Sequence, residues 1–330
     1  MAVDPVRWGI MSTANIVRRS FLPALAAAGD GAAYAVAGRD GARAAAFARE
    51  NGVLHSEQGY ETLLEDDAVE AVYIPLPNSL HAEWTIAALR AGKPVLCEKP
   101  LSVSADEARV VLDVAAETGT LLWEAFVFPF HRQMQAIHDL ISEGRIGEIR
   151  EVQATFHFEI AARNDIRLSQ ELAGGALNDV GCYCVALACQ VFGGEPVDAT
   201  AVARWAPEKV DEEAAGVLRF SDERRLVLSC AMDLPQDTFA RIIGTEGEIR
   251  LTNPYHPDES DWFELRHADK SERFSSEQAE PSFTSALRHI HRVIRNGEQP
   301  LHLALDDAMP IASGVDLLHR SARAGHLVTA

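Results

Sequence analysis

Over the first 125 or so residues, short apolar runs alternate with Ala-rich amphipathic stretches, and few folds accommodate that rhythm. Strands joined by amphipathic crossovers pair in parallel and are covered on both faces, so the alternation reads as successive βαβ units. Strands are predicted at 7–11, 34–37, 71–74, 94–97 and 121–125, and helices at 16–28, 42–51, 80–91 and 104–118. Gly92-Lys93-Pro94 and Gly119 stand where helices should stop. The expectation is an α/β fold whose N-terminal part is a doubly wound parallel sheet of the nucleotide-binding, Rossmann kind.

The pattern changes beyond a helix predicted at 130–143. Longer strand-like runs follow at 149–158, 199–205, 213–220, 225–232, 239–244 and 247–252, with one clear helix at about 178–192. They predict a C-terminal α+β domain with a large, mostly antiparallel open sheet. Two helices, about 283–296 and 306–321, are expected to close it, and the polar stretch 269–281 reads as a mobile loop. The predicted division is residues 1–125 for nucleotide binding and 126–330 for substrate binding and oligomerisation.

A chain of 330 residues is long enough for about two domains, each with its own core. Lys and Arg total 30 against 49 Asp and Glu, a net charge of −19 spread over both halves. Such a field repels phosphate backbones and anionic lipid, which argues against nucleic-acid and membrane partners. The N-terminus has neither the basic nor the apolar region of a signal peptide, and no run approaches the ~20 apolar residues of a membrane span, so a cytoplasmic protein is expected. Five cysteines with no C-x-x-C pair read as reduced core thiols. Twelve His lack any H-E-x-x-H or comparable spacing, so no metal is expected.

Chemistry is expected at the carboxyl edge of the parallel sheet, where open α/β sheets bind ligands. The first βα turn reads Ser12-Thr13-Ala14-Asn15-Ile16, small residues where dinucleotide-binding proteins carry glycines, with hydroxyls and helix N–H groups able to meet a pyrophosphate. The second strand ends in Gly38-Arg39-Asp40, followed by Arg43. An acid there would anchor the ribose of NAD. Gly38 with Arg39 favours the 2′-phosphate of NADP, leaving NAD less favoured. Leu76, Asn78 and His81 follow the next strand, and Cys97-Glu98-Lys99-Pro100 the one after. Further along, Asp179 and Tyr183 are four residues apart on a predicted helix and so share a face.

Together, Ser-Thr-Ala-Asn-Ile, Pro-Asn-x-x-His, Glu-Lys-Pro and Gly174-Gly175-Ala176-Leu177-Asn178-Asp179-Val180-Gly181-Cys182-Tyr183 resemble the motifs of the Gfo/Idh/MocA oxidoreductases over essentially the whole chain. The resemblance is to the branch with Tyr at the last position, which includes dihydrodiol and xylose dehydrogenases, glucose-fructose oxidoreductase and sugar 3-ketoreductases. It implies a cis peptide bond after the catalytic-site lysine and hydride transfer between NADP and a carbon of a sugar, polyol or vicinal diol. On that reading Ser12, Thr13, Ala14, Asn15, Ile16, Gly38, Arg39, Arg43, Leu76, Asn78, His81, Glu98 and Lys99 hold the cofactor, and Lys99, Tyr183 and Asp179 are catalytic. Either Tyr183 moves the hydroxyl proton while Lys99 lowers its pKa, or Lys99 is itself the base; Asp179 orients Lys99 or a substrate hydroxyl. Two alternatives share the fold, a non-catalytic nucleotide-sensing regulator and a redox-assisted glycosidase. Retention of Lys99 and Tyr183 opposes the first and Arg39 opposes the second. A homodimer or homotetramer is expected, since an open sheet leaves one face to be covered.

Overall fold

The structure, a computed structural model, describes residues 4–221, 223–268, 270–276 and 280–330. It divides into two compact units. The first comprises the chain up to Ser102, Asp106–Val127 and Pro281–Ala308; the second comprises Val103–Ala105, Phe128–Glu280 and Met309–Ala330.

The first unit is built on six parallel strands, β1 (Val6–Met11), β2 (Gly31–Gly38), β3 (His55–Gln58), β4 (Ala71–Ile74), β5 (Val95–Cys97) and β6 (Leu122–Glu124), in the order β3-β2-β1-β4-β5-β6. Apart from Arg7 near the start of β1, the central strands are apolar because helices cover both faces; Met11, Val72, Ile74, Val95 and Leu122 belong to one buried cluster. A Cβ at Gly9 would come within 2.8 Å of Leu63 and Val69, so this glycine lets a helix lie close on β1. β3 escapes the hydrophobic pattern because His-Ser-Glu-Gln forms an edge strand.

The helix Ser282–Asn296 packs within this first unit, whereas the sequence reading assigned it to the second domain. The indole of Trp8 donates to His291 Nε2 at 2.9 Å, which leaves Nδ1–H to donate to Asp30. Arg295 reaches both carboxylate oxygens of Glu70 at 2.8 and 2.6 Å. Gly31 has no side chain because a Cβ there would strike the His291 ring. These long-range contacts join residues 225 to 283 positions apart, beyond the reach of local periodicity.

The second unit carries β7 (Ile149–Glu159), β8 (Pro196–Trp205), β9 (Asp211–Phe220), β10 (Arg225–Ala231), β11 (Asp233–Gly244), β12 (Gly247–Leu251), β13 (Trp262–His267), β14 (Lys270–Ser275) and β15 (Val328–Thr329). They form one sheet in the order β14-β13-β12-β11-β7-β10-β9-β8-β15, in which β7 and β10 pair in parallel and the other pairs are antiparallel. β14 replaces part of the loop expected at 269–281. It is a polar edge strand whose one large apolar residue, Phe274, stacks on Phe263 at 4.7 Å. Asp269, Glu277, Gln278 and Ala279 of that stretch lie outside the described residues. Among the described residues, no helix is long and apolar enough to cross a membrane.

Candidate active site

Parallel register brings the expected cofactor residues to one edge of the first sheet. Met11 pairs with Ala37, Ile10 with Tyr73, Ile74 with Cys97, and Cys97 with Glu124, so the segments after β1, β2, β4, β5 and β6 all leave from the same end. The strand order reverses at β1 and β4, the topological switch point where such sheets bind nucleotides.

After β1, Ser12 takes a φ of 156°, a conformation that favours the glycine of a dinucleotide fingerprint, and its Oγ accepts from Ala14 N at 3.0 Å. The helical stretch 15–28 then begins, with a π turn at Val17–Phe21, so Thr13, Ala14, Asn15 and Ile16 occupy a helix entrance. After β2, Asp40 caps the helix Gly41–Asn51 by accepting from Arg43 N at 3.1 Å. The side chain of Arg39 is exposed and makes no hydrogen bond or ion pair with another described residue, while Arg43 is also exposed. Two exposed cations thus follow the glycine that closes β2.

Lys99 stands in a turn held from three sides. Its bond to Pro100 is cis, as the resemblance implied. His81, 1% exposed, sets Nδ1 2.7 Å from the Pro100 carbonyl and Nε2 2.8 Å from the Leu76 carbonyl. Burial holds its pKa down, so the neutral ring donates to one carbonyl at a time. Its ring nitrogens face protein backbone, so it braces the 76–81 and 98–101 segments. The Leu101 N–H donates to Glu124 Oε1 at 2.7 Å, and Glu124 Oε2 is buried with no hydrogen-bond partner among the described residues. Burial pushes this carboxyl up to about 8, partly offset by the Leu101 N–H. Glu98 accepts from the Tyr73 hydroxyl at 2.6 Å. Glu124 and Tyr73 went unnoticed as site residues; the signal available was a carboxyl ending an apolar strand.

In the second unit the helix Cys182–Phe192 follows a π turn, Leu177–Gly181, that contains Asp179. Asp179 Oδ2 accepts from Arg167 Nε at 2.8 Å. Buried Asp211 accepts from Leu177 N at 2.7 Å and so caps the turn, its carboxyl pushed up to about 6 by burial. Asn178 donates to the Ala173 carbonyl at 3.1 Å, leaving its Oδ1 to accept from His319 Nε2 at 3.0 Å. Tyr183, 7% exposed, lies among Phe128, Phe156, Tyr255 and His256, and its hydroxyl is 3.5 Å from His256 Nε2.

Residues 6–126 match the oxidoreductase family with an NAD-binding Rossmann fold, and residues 134–250 match the GFO/IDH/MocA C-terminal domain. The chain belongs to the GFO/IDH/MocA oxidoreductase family. It is 35% identical over 325 residues to a D-xylose 1-dehydrogenase (NADP(+)) of Haloferax volcanii, covering 97% of this chain and 98% of that one. It is 30% identical to a trans-1,2-dihydrobenzene-1,2-diol dehydrogenase of Xenopus tropicalis, over 94% of this chain and 96% of the relative. The crystal structure of KijD10, a 3-ketoreductase from Actinomadura kijaniata in complex with NADP and TDP-benzene, superposes with a TM-score of 0.88 at 33% identity, covering 96% and 98% of the two chains.

Proposed function

We propose that this oxidoreductase uses NADP to transfer a hydride between nicotinamide and a hydroxyl-bearing or carbonyl carbon of a sugar, polyol or vicinal diol. The observation that carries the reading is the Lys99 turn, where His81, Glu124 and the cis bond to Pro100 hold one lysine at the carboxyl edge of a nucleotide-binding sheet. The cofactor fits the donor set: Arg39 and Arg43 are exposed cations beside Gly38, suited to a 2′-phosphate, and the helix entrance at 13–16 offers N–H groups to a pyrophosphate. Leu76, Asn78 and Glu98 complete that edge. When bound, NADP supplies or accepts the hydride.

Lys99 supplies positive charge to the oxygen of the reacting carbon, and Tyr183 donates or takes the proton there. Asp179, charge-paired with Arg167, orients a substrate hydroxyl from the same helix entrance as Tyr183. The reading includes a cytoplasmic enzyme that self-associates through the sheet face bearing Val202, Val217 and Val227, which are 69%, 39% and 37% exposed. Assays with D-xylose and other aldoses plus NADP+, and with keto-sugars plus NADPH, test the activity. Absence of turnover throughout, with NADP still bound, would favour a sensor.

A further inference from the structure

Tyr183 is buried, and a buried acid that gives up a proton must recover it from water before the next turnover. One side chain within reach of its hydroxyl is His256, whose Nε2 lies 3.5 Å from the oxygen, a long contact of the kind that substrate binding can tighten. His256 is exposed, whereas Tyr183 is 7% exposed. Its ring therefore spans from a buried hydroxyl to solvent.

The segment between β12 and β13 fixes the backbone that carries that ring. Asn253 Oδ1 accepts from His256 N at 3.2 Å, and its Nδ2 donates to the His256 carbonyl at 2.6 Å and to Asp261 Oδ2 at 3.0 Å. The same Asp261 oxygen accepts from Asp258 N at 2.7 Å, and Gln133 Nε2 donates to the Asn253 carbonyl at 3.1 Å. The imidazole also packs against the Tyr183 ring at 5.3 Å and edge-on to Phe156 at 5.9 Å. A surface histidine with only a covering role does not require its backbone clamped on both sides.

We propose that His256 is a proton relay between the Tyr183 hydroxyl and bulk water. The proposal rests on Tyr183 being the group that moves the substrate proton. In carbonyl reduction, hydride from NADPH forms the new C–H bond and leaves an alkoxide, which takes the Tyr183 O–H proton. The Tyr183 oxygen then takes the proton from His256 Nε2–H while Nδ1 takes one from water, so one proton enters from solvent for each proton given to product. Exchange with water restores the starting tautomer, and alcohol oxidation runs the sequence in reverse.

The test combines ¹⁵N-histidine NMR with kinetics. Tyr183→Phe keeps the ring and removes only the oxygen, so it should move the His256 Nε2 resonance while leaving those of buried histidines such as His291 in place; an unmoved His256 resonance overturns the relay. With D-xylose and NADP+, His256→Ala and His256→Asn should each lower kcat about tenfold or more with KM and NADP affinity retained, and added imidazole should restore turnover to the alanine variant. A loss confined to KM, or a kcat loss that imidazole does not repair, overturns the relay in favour of a packing role. Normal turnover in both His256 variants beside an inactive Tyr183→Phe removes the relay alone. Normal turnover in Tyr183→Phe removes the role of Tyr183 and the relay with it.

Discussion

Arg39 illustrates how much one side chain can decide at the surface. Exposed and without an ion pair among the described residues, it is available to a 2′-phosphate, and Arg39→Asp should weaken NADP at least tenfold. NAD should lose much less; equal losses in fluorescence titrations of the two cofactors would count against the assignment. Tyr183 is the complementary case, a buried residue whose ring packs and whose oxygen, on the proposed function, carries the proton. Tyr183→Phe should retain NADP binding and lose about 10²–10⁴-fold in turnover. Lys99→Met should be at least as damaging, and the double variant little worse than the worse single if the two work as one unit. Multiplicative losses would assign them to separate steps. Lys99, Tyr183 and Arg39 were all singled out as candidates by the sequence, because their residue types stand at recognisable motif positions. Glu124, Asp211 and His256 were not, because each acts through a contact with a residue at least 23 positions away.

At the scale of elements, the entrance to the Tyr183 helix matters most. A π turn leaves its first N–H groups to be satisfied from outside, and Asp211 in β9 does so at Leu177 N. Asp211→Ala should cost ~1–3 kcal/mol, the range for losing a cap and leaving a buried donor unsatisfied, with turnover reduced as Tyr183 loses its fixed position. Asp211→Asn keeps an acceptor oxygen and should recover most of that loss in thermal melts. If the alanine variant melts and turns over like the parent, Asp211 is no cap. Sequence periodicity located this helix at 178–192 but had no means of seeing the π turn, since one inserted residue in a turn leaves the apolar pattern almost unchanged.

For the whole molecule, buried Glu124 gives stability a distinctive alkaline limb. Its folded pKa of about 8 lies above that of an unfolded glutamate, so the folded chain holds a proton the unfolded chain releases. That contribution is complete below the unfolded value and is lost as pH rises through 8. Buried His81, His131, His289, His291 and His319 have lowered pKa values, so their effect has the opposite sign and is centred near and below pH 6.5, the ordinary histidine value. The Glu124 contribution is therefore read as the difference between the parent and a variant without the carboxyl, a difference that should shrink by up to about 2 kcal/mol between pH 6.5 and 8. Glu124→Gln, which keeps an acceptor for Leu101 N–H, should flatten that limb in melts across the range. A limb of equal slope in the variant would place the charge elsewhere.

The sequence by itself determined the two fold types and the family, because hydrophobic period and short motifs are local properties that survive without a partner. It also pointed to the sheet edge where the candidate cofactor residues gather. Only the tertiary structure decided that the helix Ser282–Asn296 packs in the first unit, since that depends on Trp8 meeting His291 and Glu70 meeting Arg295 across most of the chain. Polar edge strands such as β3 and β14 likewise exist because a neighbouring strand offers them hydrogen bonds, and backbone pairing leaves no mark in side-chain hydrophobicity.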